Sequence, residues 1–94
     1  MDELLPIGTI FKVKESDSVL FMLIGYYPRL QENDNMFDYL AVIYPYGIDG
    51  DESFYTINFD QIAEVVYEGY TDEDSEALRK YLPVIVEAEN GTAD

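Results

Sequence analysis

The chain contains no cysteine and no histidine. The first absence excludes disulfides, thiolate zinc sites and cysteine nucleophiles. The second removes the commonest general base, the usual transition-metal ligand and every Ser-His triad. Basic residues are scarce too. Lys12, Lys14, Arg29, Arg79 and Lys80 stand against 20 acids, for a formal net charge of -15. Five scattered cations do not make the clustered Lys and Arg that grip phosphates, so neither nucleic acid nor an anionic membrane surface is an expected partner. No run approaches the ~20 apolar residues that cross a bilayer. Residues 1–8 lack the basic region and long apolar stretch of a signal peptide, so the expected compartment is the cytoplasm. A surface this acidic favours solubility, repels its own copies and attracts basic partners.

What is present suits one small folded domain. Of the 94 residues, 48% are hydrophobic, and nine tyrosines with five phenylalanines supply bulk. A chain of this length buries roughly 60–65% of its unfolded surface, enough for one modest core. Residues 9–14 alternate Thr9, Phe11 and Val13 with Ile10, Lys12 and Lys14, the pattern of a half-buried strand. Residues 15–18 read as a polar turn. Residues 19–27 are apolar on both alternating faces and predict a central strand, with Gly25 marking a bend or bulge. After a polar loop at 31–35, residues 36–46 read as a third strand. An Asp-Gly connection at 48–52 supplies the positive φ of a tight turn. Residues 53–57 make a fourth strand, 58–63 a single helical turn and 64–68 a short fifth strand.

A helix is predicted after Thr71, with Thr71 as cap and Asp74 in the capping-box position. Asp72, Glu73 and Asp74 lie where the helix macrodipole favours anions, and Arg79 and Lys80 where it favours cations. Ala77, Leu78, Tyr81 and Leu82 form its apolar face. Pro83 is expected to end it, because the residue before proline avoids the α region. The expectation is therefore an α+β domain over residues 1–83. It comprises a small curved antiparallel sheet of about five strands in meander order, rolled toward a barrel, with one C-terminal helix packed on it. Residues 84–86 are expected as an edge strand and the rest of 84–94 as a flexible acidic tail. An exposed edge strand offers a route to homodimers or to pairing with a partner's strand.

The chemistry-bearing patterns are weak. Asp49-Gly50-Asp51-Glu52 and Glu32-Asn33-Asp34-Asn35 suggest calcium loops, yet neither has EF-hand spacing. With 20 acids, chance carboxylate pairs are unavoidable, so a glycosidase-like pair carries little weight. The glycines show neither GxGxxG nor GK[ST], so no nucleotide cofactor is expected. Nothing points to catalytic, cofactor-binding or metal residues, and the expectation is a protein that is not an enzyme. The tyrosines are more informative, since each hydroxyl wants water or a partner and tyrosine is enriched at interfaces. Tyr44 and Tyr46, and Tyr67, Glu68 and Tyr70, lie near strand ends and are the candidate partner-binding residues. The bland alternative is that their rings plug the ends of the sheet.

Four stretches in order carry a resemblance: Leu4-Leu5-Pro6-Ile7-Gly8-Thr9, Met22 to Tyr26, Phe37-Asp38-Tyr39 through Tyr44-Pro45-Tyr46-Gly47, and Phe59 to Ile62 followed by Val65 to Tyr70. Over roughly residues 4–82 they resemble the domain of unknown function 4176 family of Firmicutes. The resemblance implies a companion of type VII-secreted toxins that carry LXG domains. On that expectation the chain is a cytoplasmic accessory factor or chaperone whose partner is an LXG toxin or one of its targeting factors. The alternative is an immunity protein that neutralises a cognate, basic toxin. The resemblance carries no catalytic residues.

Overall fold

The computed structural model describes residues 4–29 and 36–92. The polar loop read at 31–35 lies outside the described residues. The elements follow as β1 (Ile10–Val13), β2 (Ser16–Tyr26), β3 (Tyr39–Tyr44), β4 (Tyr55–Ile57), β5 (Ile62–Tyr67) and α1 (Glu73–Thr92). Single 3-10 turns at Asp51–Ser53 and Phe59–Gln61 precede β4 and β5. The strands form one antiparallel sheet in the order β4-β3-β2-β1-β5, so the fold is α+β as expected.

The sequence pattern accounts for most of this sheet. Val13 pairs with Ser16, so β1 and β2 meet through a tight turn at Lys14-Glu15, shorter than the polar turn predicted at 15–18. The β2–β3 register shifts between Leu23 and Gly25, a bulge where the glycine suggested one. The meander holds through β4 and then breaks, because β5 crosses to pair with β1.

That crossing forces the sheet to curl. β4 and β5 occupy opposite edges, yet only residues 58–61 separate them. Five flat strands would hold their edges ~19 Å apart. The chain from Ile57 to Ile62 reaches at most about 18 Å when fully extended, and most of it is wound into the 3-10 turn. The sheet therefore rolls, without β4 and β5 pairing to close it. Hydrogen bonds pin the linking turn to both sides. Asp38 N–H donates to Asn58 Oδ1 (3.2 Å), Phe59 N–H to Asp38 Oδ2 (2.8 Å), and Lys14 N–H to the Gln61 carbonyl (2.9 Å).

The core fills the concave side: Leu4, Phe11, Val13, Phe21, Leu23, Tyr39, Ala41 and Ile57. Phe11 stacks on Phe21 (5.9 Å between centroids), and Phe21 meets Tyr55 edge-on (5.4 Å). Two tyrosines hold the N-terminal segment over one end of the roll. Tyr39 Oη accepts the Leu5 N–H (3.2 Å), and Tyr26 Oη donates to the Leu5 carbonyl (2.5 Å). Burial pushes the Tyr39 phenol up to about 12 and also raises that of Tyr26.

The helix departs from expectation at both ends. Asp72, not Thr71, caps it: Asp72 Oδ1 accepts the Ser75 N–H at 2.9 Å. Thr71 instead accepts a hydrogen bond from Arg79. At the other end α1 runs through Pro83 to Thr92, where an edge strand at 84–86 and a frayed tail were predicted. A strand must find a free sheet edge, whereas a helix satisfies its backbone within itself. Pro83 removes one N–H, the donor to the Arg79 carbonyl, so α1 continues through it with one intrahelical hydrogen bond fewer. Half-buried Leu82 packs against the core beside that position. Arg79 and Lys80 consequently sit in mid-helix rather than in its last turn.

Candidate functional site

The predicted residues fall into two groups that the fold keeps apart. β3 and β5 run in opposite directions with β2 and β1 between them. Tyr46 therefore leaves the sheet beyond the end of β3, and Tyr70 beyond the opposite end, after β5. No single site gathers all five.

The β3 group belongs to a loop that satisfies itself. Tyr46 Oη donates to Asp49 Oδ2 (2.6 Å), and Asp49 N–H donates to Ser53 Oγ (2.6 Å). The hydrogen bond to Asp49 raises the Tyr46 pKa, because the carboxylate stabilises the protonated phenol. Gly50 has the expected positive φ (137°), but it leads into the 3-10 turn Asp51–Ser53 within a ten-residue connection from β3 to β4 rather than making the tight turn read at 48–52. Beside this loop lies a shallow, half-open cavity of about 220 Å³ between Ile43, Tyr46, Glu52 and Tyr55. Tyr44 is half-exposed at the end of β3.

The β5 group is built differently. Gly69 is buried, and an atom added at its Cβ position would lie 2.2 Å from the Ile7 carbonyl oxygen. Its N–H donates to Thr9 Oγ1 at 3.1 Å, and Thr9 is fully buried. Glycine is thus required where the chain leaving β5 crosses the backbone entering β1. This contact anchors a corner from which Tyr67, Glu68 and Tyr70 project. Tyr67 is 64% and Tyr70 80% exposed. Neither hydroxyl makes a hydrogen bond among the described residues. Val65 and Val66 of the edge strand beside them are also substantially exposed. Arg79 braces the corner from α1. Its guanidinium donates to the Leu4 carbonyl (3.1 Å), to Ser75 Oγ (3.3 Å) and to Thr71 Oγ1.

The Tyr67–Tyr70 corner presents two exposed aromatic rings and the exposed Glu68 carboxylate. Among the described residues no three acidic side chains converge as metal ligands, and the Glu32–Asn35 stretch lies outside them. Of the apolar face read at Ala77, Leu78, Tyr81 and Leu82, only Leu82 turns inward; Leu78 and Tyr81 are exposed and continue past Pro83, which was read as the helix end, into exposed Val84 and Ile85. The signal was present in the spacing of those residues across Pro83. No described helix is long and apolar enough to cross a membrane. No curated protein and no solved structure gives a match. The description of a domain of unknown function (DUF4176) matches residues 4–78, spanning all five strands and the Tyr67–Tyr70 corner. The chain belongs to the DUF4176 family.

Proposed function

We propose that this protein is a non-enzymatic accessory factor or chaperone that holds an LXG toxin of type VII secretion in the cytoplasm before export. The observation that carries the reading is the Tyr67–Tyr70 corner, with two free phenol rings displayed on a glycine-anchored turn in a chain of net charge -15. Rigid aromatic side chains bind at low entropic cost, and surrounding carboxylates steer a basic polypeptide toward them. A holdase needs such a surface and no chemistry. Co-expression with an LXG toxin, followed by affinity capture, tests the reading. Capture is expected at low salt, weakened by Tyr67→Ala with Tyr70→Ala. Failure of the wild-type protein to retain any part of the toxin would refute it.

The acidic charge also supports a second reading, an immunity protein that neutralises a basic toxin domain. A toxicity assay separates the two. Protection of cells from the active toxin domain supports immunity, whereas lost secretion without lost protection supports the chaperone.

A further inference from the structure

α1 turns one mixed stripe toward the sheet and leaves an apolar one exposed. At 100° per residue, half-buried Ser75, Arg79, Leu82 and Val86 form the stripe turned toward the sheet. Leu78, Tyr81, Ile85 and Ala88 form another, about 110° around the helix, all exposed. Val84 flanks it. Leu78 is 51%, Tyr81 61%, Val84 63% and Ile85 51% exposed, an apolar ridge ~15 Å long on three turns of helix. The 3-4-3 spacing from Leu78 to Ala88 is that of the a and d positions of a coiled-coil seam. A seam of that period is matched by another helix, whose side chains fill the gaps between successive a and d residues.

The charge chooses the occupant. Asp74 continues the line of the ridge one turn before Leu78, and Glu73, Glu76 and Glu87 lie with Lys80 on the outer face of α1, about 100–160° around from it. A second copy would set another net charge of -15 against this one, whereas a basic segment would meet an attractive field. We infer that the ridge Leu78–Tyr81–Ile85 receives a basic amphipathic helix of the partner polypeptide. The inference rests on the binding role proposed above and specifies the partner's chemistry at a surface mostly beyond the family match, which ends at residue 78. Leu82 and Arg79 hold the inner face of α1 to the body, so the outer face is presented on a supported helix.

The test uses the full chain and a synthetic helix of about 21 residues, with leucine at a and d and lysine or arginine flanking them. A scrambled peptide of the same composition controls for charge alone. Calorimetry at about 50 mM salt is expected to show the heptad peptide binding at least about tenfold more tightly than the scrambled one. Amide shift changes should concentrate at residues 77–88. The triple variant Leu78→Ser, Tyr81→Ser, Ile85→Ser should keep its circular dichroism and melting temperature yet lose that tenfold preference. Equal affinity for both peptides, shifts centred elsewhere, or a dimer of the free protein that the triple variant dissolves would overturn the inference. Toxin captured equally by wild type and triple variant would refute the helix ridge while leaving the accessory role intact. Toxin captured by neither would refute the accessory role itself.

Discussion

Replacing Gly69 with alanine tests how the β5–α1 corner is built. The added carbon would stand 2.2 Å from the Ile7 carbonyl oxygen and 2.9 Å from both the Gly8 carbonyl carbon and the Thr9 nitrogen. Ordinary carbon–oxygen contacts lie near 3.3–3.6 Å, so one chain must retreat by about 1 Å. All three obstructing atoms are backbone, and none can rotate away. Over-packing of this kind costs about 1–3 kcal/mol. The retreat also stretches the 3.1 Å bond from Gly69 N–H to the buried Thr9 hydroxyl. Its loss adds about 1–2 kcal/mol, since both groups are screened from water. The expected total is about 3 kcal/mol, a large fraction of the ~5–14 kcal/mol typical of a chain this size. That corresponds to a fall in Tm of about 12–24 °C. Urea unfolding followed by circular dichroism reads the change, with an unaltered slope if the folded state stays compact. Gly47→Ala is the contrasting control. It sits at positive φ (84°), as Gly69 does not, but meets nothing within 4 Å, so it should cost only about 1–2 kcal/mol. A Gly69→Ala loss no larger than that of Gly47→Ala would show that the close crossing does not constrain the corner.

Three further outcomes follow from particular contacts. Arg79→Met keeps the stem of the side chain but removes its bonds to the Leu4 carbonyl, Ser75 and Thr71; we expect a loss of about 1–3 kcal/mol and faster amide exchange along α1. Unchanged exchange would mean that Leu82 alone docks the helix. Tyr39 titrates near 12 in the folded protein against about 10 unfolded. The folded state therefore holds its proton longer. The stabilisation is complete below pH 10 and is lost as pH rises toward 12. Alkaline titration should show the decline flattened in Tyr39→Phe, and equally steep curves would reject this source. Finally, 20 acids against five bases repel within one small domain, so Tm should rise by several degrees between about 20 and 300 mM NaCl. A flat salt response would show that the carboxylates lie too far apart to interact.

Local pattern made much of this protein legible. Alternation in residues 9–14, the doubly apolar run around Phe21 and Leu23, and the strand read at 36–46 correspond to β1, β2 and β3, although β3 itself is shorter, Tyr39–Tyr44. Gly25 coincides with a register shift, and the Asn58–Gln61 segment with a helical turn. These features depend on neighbours within a few residues, which a sequence displays directly. The helix boundaries were less legible, because Thr71 and Asp72 are both chemically able to cap. Arg79 takes the Thr71 hydroxyl, and Asp72 takes the Ser75 amide. Beyond Pro83, β-branched Val84, Ile85 and Val86 suggest a strand, yet α1 continues through them.

The candidate site divides in the same way. Tyrosines at strand ends could be picked out by residue type, but their grouping depended on strand order. The sequence alone determined the acidic surface, the strand-rich composition, the lack of histidine and cysteine chemistry and the start of a helix near residue 72. These are properties of residue types and of short-range period. Only the tertiary structure decided that β5 returns to pair with β1, which rolls the sheet and sends Tyr46 and Tyr70 to opposite ends. It also decided that Gly69 locks against Thr9, a contact 60 residues distant along the chain. Such a contact depends on where two backbones cross, and no local pattern records that crossing.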